Sequence, residues 1–123
     1  MSKGNTFEND VLLITFNATL AAHLGVLSSG GNTDLYVSLH TGDPGEGGNQ
    51  QTSECAFGSY ARQAVVRSGS GWTVSGNTAT NAATISFPEC TSGSETVTHV
   101  AIGTVVSATG QLLYSGALNA SRS

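Results

Sequence analysis

The chain is short of charge. Only 10% of its 123 residues are Asp, Glu, Lys or Arg, against about 25% in an average soluble domain. Its four cations, Lys3, Arg62, Arg67 and Arg122, are scattered. Such spacing cannot build a stripe that tracks phosphates and releases counterions, so nucleic acid is not an expected partner. Long apolar runs are missing as well. Nothing approaches the roughly 20 residues a membrane span needs. The run Val11 to Ile14 is broken by Thr15 and Asn17 and lacks the basic flank of an export signal. The expectation is a protein made in the cytoplasm without Sec export, with no membrane as partner. There are two cysteines, Cys55 and Cys90, in no CxxC spacing. That argues against a zinc knuckle or a redox motif and leaves one disulfide or two free thiols open.

In place of charge the chain carries Ser, Thr, Asn and 16 glycines. A surface of this kind is soluble but repels little. It suits a protein that works packed against copies of itself or against a larger assembly. The length predicts a single domain, 1–123. Its first part reads as a helix over about 6–24. Asn5 followed by Glu8 is a variant of a capping box, and Glu8 and Asp10 suit the positive end of the helix dipole. Phe7, Val11, Ile14, Ala18 and Ala21 make one apolar stripe. Leu13, Phe16, Leu20 and Leu24 make a second, so the apolar arc is wider than one packed face requires.

Beyond the linker SSGGNT the period falls to two. In DLYVSLHT, Leu35, Val37 and Leu39 alternate with Tyr36, Ser38 and His40. Strands are also predicted over 61–67, on either side of Ser75-Gly76-Asn77, over 83–88, over 97–104 and in QLLYSGAL. The fold class expected is mainly β: a compact antiparallel sandwich or barrel-like domain with one N-terminal α-helix. The β domain spans about 34–118, and 119–123 is a short polar tail.

The stretch LHTGDPGEGGNQQ gathers a histidine, two carboxylates and four glycines. Asp43-Pro44-Gly45 has the residues of a turn. No Lys and no helix follow, as a phosphate loop would need. Asp43 and Glu46 alone are too few oxygen ligands for a calcium loop. His23, His40 and His99 show no metal spacing. The chain has no GxSxG elbow and no paired-carboxylate motif. No catalytic, cofactor-binding or metal-ligating residue is therefore assigned, and the protein is not expected to be an enzyme. Trp72, beside a tight turn, reads mainly as a packing residue. In a carbohydrate-binding alternative it would join Tyr36 and Tyr60 in a shallow sugar site.

The segments LYVSLHTGDPGE, GSYARQAVV, GNTATNAATISFP, VTHVAIGT and LLYSGAL, in that order, resemble a family of small tailed-phage virion proteins. The resemblance runs from about Phe7 to Leu118. It implies a structural role in the virion, and members are often labelled tail fibre or minor tail protein. Compact size, low charge and the wide apolar helix lead to the expectation of a capsid decoration, or cement, protein. It would bind the outside of the head shell as a homotrimer, with the major capsid protein or other virion proteins as partners. The alternative is a small tail or tail-fibre component, with receptor or host-glycan binding as a further option. Interface candidates are Phe7, Val11, Phe16 and Leu20 on the helix, Asp43 and Glu46 in the turn, and Trp72. The loop 42–54 and the tail Asn119 to Ser123 are expected to reach neighbouring subunits.

Overall fold

The computed structural model describes residues 5–18 and 32–123, and the side chains of Thr6 and Phe7 lie outside that description. The protein is mainly β, with antiparallel sheets and one helix near the N-terminus, as the sequence leads one to expect. The elements are α1 (Asn5–Asn17), β1 (Asp34–His40), β2 (Gln63–Val66), β3 (Trp72–Ser75), β4 (Thr78–Asn81), β5 (Val97–Gly103) and β6 (Leu112–Arg122). A four-stranded sheet runs in the order β2-β1-β5-β6, and β3-β4 form a two-stranded sheet. No closed barrel is formed among the described residues. The chain divides into two compact units, residues 1–34 with 65–85, and residues 35–64 with 86–123.

The first unit holds α1 and the β3-β4 hairpin. The hairpin pairs Ser75 with Thr78, which leaves Gly76 and Asn77 as a two-residue loop. Gly76 has φ +59°, the conformation a type II′ turn demands at its first central position. Phe16 (3% exposed) and Trp72 (4% exposed) form the core, with ring centroids 4.7 Å apart. Burying a side chain of this size contributes about 2 kcal/mol.

The helix stops at Asn17, short of the expected 24, because Ala18 turns to φ +53°. A left-handed residue there ends helical hydrogen bonding. The carbonyls left over find Arg67: its Nε donates to Thr15 O at 2.7 Å and its Nη2 to Ile14 O at 2.6 Å. A cation on the negative end of the helix dipole is favourable as charge and as donor. At the other end Asn9 donates to Gly76 O and Asn77 to Glu8, so polar bonds tie the helix to the hairpin loop. Residues 19–24 of the expected helix, Leu20 among them, lie outside the described residues.

The second unit is built on β1 and β5, paired antiparallel from Tyr36↔Gly103 to His40↔His99. Leu35, Val37, Val97 and Ala101 are its buried apolar side chains, with Cys55. The simple alternation predicted for β1 does not hold. Ser38 and His40 are buried as completely as Leu35, while Leu39 is half-buried. The chain after β1 folds back and pairs alongside the end of the strand. Thr41 N donates to Ser53 O at 2.8 Å, Cys55 N to Leu39 O at 2.9 Å, and His40 bridges Glu54.

Two further expectations are corrected. Residues 83–88 join no sheet. The strand pattern there ends in a segment without a ladder, with Phe87 stacked on Tyr60. The supposed tail 119–123 is not separate, since β6 continues to Arg122, which pairs with Val97.

Candidate functional site

The densest polar constellation is in the second unit, where residues 50–62 meet the loop 104–110 between β5 and β6. Arg62 is its centre. Its Nε donates to Glu54 Oε1 at 2.7 Å and its Nη2 to Glu54 Oε2 at 2.8 Å, a two-pronged ion pair. The remaining guanidinium donors take Val105 O at 3.0 Å and Ala108 O at 2.8 Å. Tyr60 donates its hydroxyl to Glu54 Oε1 at 2.8 Å and accepts from Leu39 N.

Gln50, fully buried, completes the grip. Its Oε1 accepts from Thr104 N and Val105 N, its Nε2 donates to Val105 O, and its own backbone N–H donates to Thr109 O. Gly103 and Gly110 are glycines because a Cβ at either would run into the Gln50 amide. Ala108 at φ +70° is held where an L-residue is strained. The loop it belongs to is pinned by five side-chain hydrogen bonds from Gln50 and Arg62.

Beside this network lies a cleft of about 420 Å³, lined by Glu54, Cys55, Tyr60, Arg62 and Val106 among others. Val106 stands at it 62% exposed. Arg62, Tyr60 and Cys55 on its wall are held in their protonated forms. Glu54 fixes the Arg62 proton by accepting its hydrogen bonds, which raises that group further. Burial pushes the Tyr60 hydroxyl well above its ordinary range. Cys55 is pushed up to about 11 by burial first, then by the Glu95 and Glu54 carboxylates. A thiol so placed stays protonated and is a poor nucleophile.

A serine and a histidine do meet. Ser38 Oγ lies 2.8 Å from His40 Nε2, and His40 Nδ1 lies 2.8 Å from Thr52 O. A carbonyl only accepts, so Nδ1 carries the proton and Ser38 donates to Nε2. This resembles half of a nucleophilic pair, but both side chains are 0% exposed. No substrate reaches them, and the pair serves to satisfy a buried strand end. Among the described residues no group of three or more His, Cys, Asp or Glu could hold a metal ion. Cys55 and Cys90 are both free.

The residues singled out in the sequence fall in different places. Phe16 and Trp72 are spent on the core of the first unit and present no surface to another chain. For the same reason Trp72 cannot serve the sugar site imagined with Tyr36 and Tyr60. Val11 is half-buried on α1. Phe7's side chain and Leu20 are outside the described residues. Asp43 and Glu46 are exposed in a turn where Asp43 Oδ1 accepts from Gly45 N at 2.9 Å and Gly45 takes φ +70°. That is the predicted turn chemistry. The stretch 42–54 as a whole, however, is not a free arm, because Gln50, Thr52 and Glu54 are bonded into the unit. The network of Gln50, Glu54, Tyr60 and Arg62 was missed. Its one available signal was scarcity: a chain with so few cations that places one in Tyr60-Ala61-Arg62 has a structural use for it.

Comparison with known proteins adds one match. Residues 4–123 match the family described as Podophage GP4 fiber I protein gp80. No curated protein matches the chain.

Proposed function

The chain belongs to this podophage fibre family and is a phage virion structural protein, and we propose that it is a small, non-catalytic component of the tail fibre. The observation that carries this reading is the family match, which takes in almost every residue of the chain. It favours the fibre over head decoration, for which compact size, low charge and the wide apolar helix were the arguments. The chemistry of the site agrees with a mechanical role. Its ion pair is neutralised internally, its thiol and phenol hold their protons, and its hydrogen bonds stiffen a displayed loop. The partners in this reading are further copies of the chain and other virion proteins.

Copy number in purified particles tests the proposal, by quantitative mass spectrometry against the major capsid protein. The expected result is a small multiple per particle, far below the capsid protein. A ratio near one to one would place the protein on the head shell and overturn the fibre reading.

A further inference from the structure

β6 is the least covered element of the second unit. In a strand with one face on a core, alternate residues are buried. In β6 none is buried, and eight of eleven are exposed. Among the described residues it is also an edge, paired with β5 on one side only. Soluble proteins usually blunt such an edge with lysine, proline or shortness. β6 has no lysine and no proline, carries one charge, Arg122, and is the longest strand among the described residues. Gly116, near its middle, has open space around the position a Cβ would take. Nothing within this chain requires a glycine there. A glycine inside a strand commonly marks the close approach of another backbone.

We propose that copies of this chain associate through this edge, β6 of one copy pairing antiparallel with β6 of another. Length and charge select this occupant. The opposite edge of the sheet, β2, has four residues, so a head-to-tail contact could satisfy only a fraction of the β6 backbone. Two β6 strands overlap along their whole length about a centre at Ala117. Gly116 then faces Leu118 of the other copy and gives that side chain room. Each Arg122 comes opposite Leu112, and the two arginines stand about 33 Å apart at 3.3 Å per residue. That is several screening lengths at physiological salt, so the like charges do not oppose pairing. β6 slips against β5 near its end, with Val97 opposite Arg122 but His99 opposite Ala117.

The inference deepens the fibre reading, and its setting rests on that reading, but its test does not. The full chain is examined by sedimentation, and its amides by hydrogen exchange. The expected result is an even-numbered oligomer in which β6 amides are protected. The double variant Ser115→Lys/Ala117→Lys, at two exposed positions, should weaken association at least tenfold. Exchange at β6 should speed up by a similar factor, with the circular dichroism unchanged. A monomeric wild-type chain, an odd-numbered oligomer, or a wild-type oligomer with freely exchanging β6 amides overturns the proposal. So does protection of β6 that appears only when another virion protein is added. If particle copy numbers exclude the fibre while β6 still pairs, the fibre reading fails and this inference stands.

Discussion

At the scale of single residues the second unit depends on a few polar side chains whose partners are all internal. Arg62 is nearly buried, and it satisfies Glu54 and two loop carbonyls at once. Removing it leaves a carboxylate with only a tyrosine donor and two carbonyls with one or none. Taking one partner from a buried pair costs about 3 kcal/mol. Arg62→Ala should therefore lose about that much in urea unfolding, and Arg62→Lys should recover little, since an ammonium cannot make the two-pronged fork. A loss below about 1 kcal/mol for the alanine variant would show the network to be ornamental. Cys55 supplies a pH dependence. Its thiol is raised from 9.0 to about 11 in the fold. Below pH 9 both folded and unfolded chains keep the proton, and stability is fully present. As pH climbs from 9 toward 11 the unfolded chain releases its proton first, so stability falls. The raised Tyr60 hydroxyl acts in the same direction at the alkaline end. Melting temperature should decline across this window, and Cys55→Ala should flatten part of the decline. A melting temperature independent of pH up to about 11 would contradict the assignment.

At the scale of elements, what was legible in the sequence was what local chemistry decides. The β3-β4 hairpin was readable because Gly76 supplies a backbone conformation that nothing else in the stretch would adopt easily. The Asp43-Pro44-Gly45 turn was readable for the same reason. The β1 pattern was half legible. Period two located the strand, but the burial of Ser38 and His40 depends on residues 50–55 folding back, a contact no window of a few residues contains. The strand predicted over 83–88 had the right composition and lacked only a partner. Propensity for a strand is propensity to fit a pleated surface, and residues 83–88 are paired with no strand. The helix end shows the converse. Ala18 is a good helix former held at positive φ, while Arg67, nearly fifty residues away, takes the carbonyls of Ile14 and Thr15. The candidate site was hidden for this same reason, because Gln50, Arg62 and the loop 104–110 become neighbours only through the sheet.

At the scale of the whole molecule the governing fact is the scarcity of charge. Four cations and eight anions serve 123 residues, and two of the cations, Arg62 and Arg67, are engaged inside their own units. Little is left to steer or hold a partner electrostatically. The self-association proposed above then draws on backbone pairing and apolar contact, which salt screens weakly. Surface charge pairs by contrast lose most of their attraction beyond about 8 Å at physiological ionic strength. Self-association of the full chain should accordingly change less than about threefold between roughly 0.1 M and 1 M sodium chloride, read by sedimentation. Ammonium sulfate, which favours burial of surface, should strengthen it. The opposite result is informative in detail. A weakening of tenfold or more would mean that charges sit in the contact. The exposed pair Asp43 and Glu46 would then be the first to neutralise, as Asp43→Asn and Glu46→Gln. If those substitutions weakened association at low salt and removed its salt dependence, the contact would lie on the turn after β1 rather than on the nearly uncharged edge of β6.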